Sequence, residues 1–205
     1  MSSVNDFNNF QLDMLREIGN IGAGNAATAL AKMLNIRVDM NVPKVKILDF
    51  KQVNNILGGA ENLVVGILLY VNGDLQGYIL FILEHSAARK LVDILMEKHS
   101  NETDEFSEIE LSALKEIGNI MASSYLSALS TLTNLYIAPS VPEIAIDMAG
   151  AILSVPAIEF GKVGDSVLYI ETEFIEGRDR VIGNFFLVPD VDSYDVLLKA
   201  LGVIG

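Results

Sequence analysis

Residues 12–30, LDMLREIGNIGAGNAATAL, return at a constant offset as residues 111–129, LSALKEIGNIMASSYLSAL. A chain that states one helix-sized segment twice is constrained to fold as two similar halves. The repeat extends past these helices. Val42-Pro43-Lys44-Val45 is echoed by Val141-Pro142-Glu143-Ile144, which predicts a proline at the start of a strand in each half, where its missing N–H is tolerated. Residues 66–83 alternate and turn at Asn72-Gly73-Asp74; residues 167–188 do the same with a turn at Glu176-Gly177-Arg178. Each pair reads as a hairpin of two antiparallel strands. Amphipathic helices follow at 85–98 and 192–201, with Ser86 and Asp192 as candidate caps.

The predicted fold is α+β: a helix–three strands–helix unit present twice about a pseudo-twofold axis, giving a sheet of about six strands covered by the long helices. The halves, 8–98 and 107–201, belong to a single domain and are joined by the polar stretch 99–106. Ser107-x-x-Glu110 opens the second long helix as a capping box. A unit that cannot cover its own sheet packs on its twin, so one compact monomer resembling an internal dimer is expected. The segment 149–164 reads as an extra helix or strand absent from the first half, whose nearest counterpart, 49–60, looks more like a short helix.

At about 100° per residue, Asp13, Glu17 and Asn20 fall within roughly 60° of arc. Leu12, Leu15, Ile18, Gly22, Ala26, Ala29 and Met33 lie opposite. Ser112, Glu116 and Asn119 repeat the placement, opposite Leu111, Leu114, Ile117, Met121 and Leu132. The polar triplets are therefore predicted to face solvent. Beside them the helices carry Gly24, Ala27 and Ala31 in one copy and Ser123, Ser127 and Ser130 in the other, with Leu126 as the exception. Small residues where long charged ones are usual point to a docking face. Gly19 and Gly118 fall on the buried side, where close packing offsets their cost of up to about 1 kcal/mol.

Composition narrows the chemistry. The 205 residues contain no cysteine and two histidines, His85 and His99, so thiol nucleophiles, disulfides and Cys/His zinc sites are excluded; both histidines read as surface or helix-end residues. A formal net charge of −13 repels nucleic acid and anionic membranes. No apolar stretch approaches the roughly 20 residues that span a bilayer, and the N-terminus lacks the pattern of a signal peptide, so a cytoplasmic protein is expected. Gly19-x-x-Gly22-x-Gly24 is no phosphate loop: its glycine order is wrong and a helix, not a strand, precedes it.

Without a nucleophile–base pair or a metal cluster, the Glu and Asn cannot make a self-contained hydrolase. A carboxylate pairs with a cation, and an amide both donates and accepts, so it can orient water. These parts suffice where the substrate brings its own metal and electrophile, as in phosphoryl transfer. Taken singly, a surface Glu or Asn is ordinary, and the repeat could preserve a fold-determining segment instead. Two copies in matched helical phase, and an Asn that costs helix propensity without capping anything, weigh toward function.

At these residues the chain resembles the CheC/CheX/FliY family of bacterial chemotaxis phosphatases, over essentially its whole length. The family pattern, Asp or Ser, then Glu, then Asn at helical spacing, is met by Asp13, Glu17, Asn20 and by Ser112, Glu116, Asn119. The resemblance implies dephosphorylation of the response regulator CheY at its phosphorylated aspartate. Asn20 and Asn119 would orient the attacking water and Glu17 and Glu116 would pair with a lysine of the regulator, Asp13 and Ser112 supporting them. It implies no cofactor of its own, Mg²⁺ in the bound CheY, and CheD as a second partner. The alternative is a non-catalytic adaptor binding CheY, CheD or flagellar switch components.

Overall fold

The computed structural model describes residues 9–34, 39–98, 100–101, 104–160, 166–176 and 179–202. His99, parts of the 99–106 link, the end of the 149–164 segment and the Gly177-Arg178 turn lie outside the described residues. The elements, in order, are α1 (Asn9–Leu34), β1 (Asp39–Asp49), a 3-10 turn (Phe50–Gln52), α2 (Val53–Ile56), β2 (Leu63–Gly73), β3 (Gly77–Glu84) and α3 (His85–Met96). They continue with α4 (Glu108–Thr133), β4 (Ile137–Pro139), β5 (Glu143–Met148), α5 (Ala149–Phe160), β6 (Ser166–Glu176), β7 (Asp179–Pro189) and α6 (Val191–Ala200).

The strands form one antiparallel sheet in the order β1-β6-β7-β3-β2-β4, with β5 also paired to β2. Exchanging first-half strands for their second-half equivalents reproduces the same order, so the pseudo-twofold runs between β3 and β7. Each half's first strand pairs with the other half's second strand: β1 with β6, and β5 with β2. The halves interlock rather than merely touch.

Among the described residues the expected sheet of about six strands counts seven, because one of the repeated strands is split at its Val-Pro. In β1 the register slips between Asn41 and Lys44, so Pro43 sits at a bulge inside the strand rather than at its start. In the second half the chain breaks at the same place: β4 ends at Pro139, β5 begins at Glu143, and Val141-Pro142 occupies the gap. A proline has no N–H for the ladder, and a bulge is where a sheet tolerates it.

Both faces of the sheet are covered, which is why residues 64–69 of β2 are buried without interruption. Val65, Ile67 and Leu69 point into the core under α1, α3 and α4. Val64 and Leu68 point to the opposite core, with Val53 and Leu57 of the α2 region and Ala149, Ile152 and Leu153 of α5. The 149–160 stretch is thus a helix, and the shorter 50–56 segment is its counterpart.

Two expected caps are elsewhere. Helix α3 starts after Glu84, with no side-chain cap, and Ser86 lies inside its first turn. Helix α6 is capped by Asp190, whose carboxylate accepts from the Ser193 N–H at 2.7 Å, while Asp192 lies within the first turn. Ser107 and Glu110 do form the predicted capping box. His85 opens α3, half-buried, with its ring edge-on to Phe106.

Candidate functional site

Helices α1 and α4 pack on each other and on the same face of the sheet. Their glycines set how deeply they sit. A Cβ on Gly118 would stand 2.6 Å from Ile67 of β2, and one on Gly19 would stand 3.2 Å from Val42 of β1. A Cβ on Gly22 would collide with the Tyr125 ring of α4. That ring is itself fixed, its hydroxyl hydrogen-bonded to Thr172 at 2.8 Å and its face tilted onto Phe185. With Leu15, Ile18 and Ala26 buried on α1 and Leu114, Ile117 and Met121 on α4, the rotation of both helices is fixed.

That rotation turns the predicted triplets outward. Asp13, Glu17, Asn20, Ser112 and Glu116 are exposed and Asn119 is half-exposed. Asp13 is tied to Arg16 at 2.9 Å, an exposed pair that contributes about 0–1 kcal/mol. The Ser112 hydroxyl donates back to the Glu108 carbonyl at 2.8 Å. Among the described residues, Glu17, Asn20, Glu116 and Asn119 hold no side-chain hydrogen bond or ion pair. Two carboxylate–amide pairs therefore stand with their bonding capacity unspent.

The small residues divide. Gly24, Ser123 and Ser127 are exposed, and a Cβ on Gly24 would meet nothing within 4 Å. Leu126 is buried, and the Ser130 hydroxyl closes the end of α4 by donating to the Leu135 carbonyl at 2.6 Å. Met33 and Leu132, expected on the buried side, are exposed; each lies in the last turn of its helix, beyond the buried Leu30 and Leu129. Phe10 and Ile109, in the first turns of α1 and α4, are exposed apolar residues, and only their shared offset marks them in the sequence.

The start of α4 is held by a buried ion cluster. Glu110 accepts from the Ser107 N–H at 2.8 Å and its hydroxyl at 3.0 Å, and pairs with Arg89 of α3 at 3.2 Å. Arg89 also donates to the Asp104 carbonyl and lies 3.8 Å over the Phe106 ring. The Ser107 backbone N–H is the main reason the Glu110 carboxyl is held down at about 2, with the Ser107 hydroxyl and Arg89 adding to it against the cost of burial. No group of side chains that could hold a metal occurs among the described residues, and no helix among them is long and apolar enough to cross a membrane.

Known proteins share this sequence and fold. The model of the CheC-like family matches residues 10–47 and 109–146, which in each half is the dyad-bearing helix and the strand region after it. The chain is 39% identical over 206 residues to the CheY-P phosphatase CheC of Bacillus subtilis strain 168, covering 98% of this chain and 99% of that one. It is 31% identical over 144 residues to the flagellar motor switch phosphatase FliY of the same organism, covering 70% of this chain and 37% of that protein. The X-ray structure of Thermotoga maritima FliY superposes with a TM-score of 0.74 at 26% identity, over 96% of this chain and 98% of that one. The identity to CheC over nearly the full length places this chain in the CheC-like family.

Proposed function

We propose that this protein is an aspartyl-phosphate phosphatase acting on phosphorylated CheY, with Glu17/Asn20 and Glu116/Asn119 as its two active dyads. The observation that carries the reading is that both dyads are presented outward in matched phase with no side-chain partner among the described residues, in a protein 39% identical to one named as a CheY-P phosphatase. The glutamate pairs with a lysine ammonium of the regulator and fixes the docking. The amide oxygen accepts from a water and the amide N–H donates nearby, holding the water in line with the phosphorus. Water attacks, the bond between phosphorus and the aspartyl oxygen breaks, and inorganic phosphate leaves as H2PO4−, carrying both of the water's protons and regenerating the carboxylate. The regulator supplies the electrophile and its Mg²⁺, so this chain needs no cofactor of its own.

Asp13 and Ser112 support the dyads from one turn before each glutamate, Asp13 paired with Arg16 and the Ser112 hydroxyl donating to the Glu108 carbonyl. By family resemblance CheD is a further binding partner. The repeats 8–98 and 107–201, joined by 99–106, act as one domain in a monomer. The test is the decay of phosphorylated CheY: the Asn20→Ala/Asn119→Ala double variant returns it to the unaided rate while the far-ultraviolet circular dichroism stays unchanged. Full acceleration by the folded double variant would remove the catalytic assignment.

A further inference from the structure

Two dyads of solvated polar side chains explain the chemistry but not the grip. Exposed charge pairs contribute little to association, and specific interfaces depend on a few desolvated apolar anchors. The structure places one exposed apolar residue two helical turns before each dyad. Phe10 is 72% exposed and Ile109 is 70% exposed, and they occupy equivalent positions in α1 and α4. On a regular helix Phe10, Glu17 and Asn20 share an arc of roughly 80°, and Ile109, Glu116 and Asn119 share the same one. About 15 Å of helix separates Phe10 from Asn20, a span that one small domain covers. Neither apolar side chain belongs to the core, so neither is explained by folding.

Resting on the phosphatase reading, we propose that Phe10 and Ile109 are apolar anchors that seat the phosphorylated response regulator on the first and second dyad respectively. They set affinity, and the dyads set the chemical rate. The occupant is the regulator because the anchors continue the faces that carry the dyads, and because the anchor recurs wherever the dyad does.

The two anchors are read separately. In an Asn119→Ala background, where the first dyad acts alone, Phe10→Ala raises KM for phosphorylated CheY about tenfold with kcat unchanged, and Phe10→Leu restores it. Ile109→Ala does the same in an Asn20→Ala background. Both variants keep the parent melting temperature, since neither side chain is packed. Affinity for CheY carrying beryllium fluoride and Mg²⁺ falls about tenfold in parallel. Unchanged KM and unchanged affinity would overturn the anchors while leaving the phosphatase reading standing. Weakened affinity, with phosphate loss indifferent to Asn20 and Asn119, would sink the phosphatase reading and keep the anchors. If sedimentation shows the anchor variants splitting a dimer, the residues join copies of this chain and the proposal fails.

Discussion

At the scale of single residues, Glu110 shows how an ordinary sequence signal conceals a larger role. The Ser-x-x-Glu spacing foretells a capping box, worth about 1 kcal/mol. The structure adds Arg89, whose side chain is 3% exposed, against a Glu110 side chain 8% exposed. Breaking a buried pair from one side leaves the other charge stranded, so Glu110→Ala should cost about 3 kcal/mol in urea unfolding, well beyond the loss of a cap. The pH dependence follows from the same group. Its folded carboxyl titrates at about 2, below its ordinary 4.5, so the unfolded chain binds the proton more readily. The stabilisation is therefore complete above about 4.5 and is lost as pH falls from there toward 2. The acid limb of the stability curve should flatten in that window in Glu110→Gln. An unaltered limb would assign the acid sensitivity to other carboxylates.

At the scale of elements, what sequence disclosed and what it hid have physical causes. Helical phase placed Glu17, Asn20, Glu116 and Asn119 on exposed faces because Leu15, Ile18, Leu114 and Ile117 leave the helices one way to sit. The hairpin turn at Asn72-Gly73-Asp74 was legible from its glycine, which adopts φ 116°. The split of β4 from β5 was not, because Val42-Pro43 and Val141-Pro142 read alike and only the register shows that one makes a bulge within a strand and the other a break. Phe10 and Ile109 were hidden because exposure depends on tertiary context. The caps failed for a local reason: Asp190 and Asp192 are both plausible before α6, and which carboxylate reaches the Ser193 N–H is decided by where β7 lets the helix begin. Asp190→Ala should therefore lower stability by about 1 kcal/mol, and Asp192→Ala by a few tenths through the helix dipole alone. Thermal unfolding of the two variants side by side checks the order; the reverse ranking would return the cap to Asp192.

At the scale of the molecule, the duplication and the strand exchange pull against each other. Gene-level repetition invites the view that each half is a small domain, yet the pairing denies either half a complete sheet. Among the described residues of the first half β1 has no strand partner of its own: its ladder is with β6. Among the described residues the second half's β5 likewise forms a ladder only with β2. What remains to an isolated first half is the β2–β3 hairpin, with the β3 edge that β7 should cover left open. A two-stranded hairpin is marginal in water, and an open apolar edge such as Ile79–Ile82 is a site of aggregation. Residues 1–103 expressed alone should therefore show no cooperative thermal transition, whereas the full chain unfolds in one. Mixing the two halves should restore the transition, because the exchanged ladders do not require a covalent link between α3 and α4. A cooperative melt of the first half by itself would mean that β1 finds another place to pair. The same interlock explains how two separate dyads stay in register: α1 rests on the sheet through Gly19 and α4 through Gly118, and Tyr125 over Gly22 couples the helices to each other, so loosening either half loosens both faces.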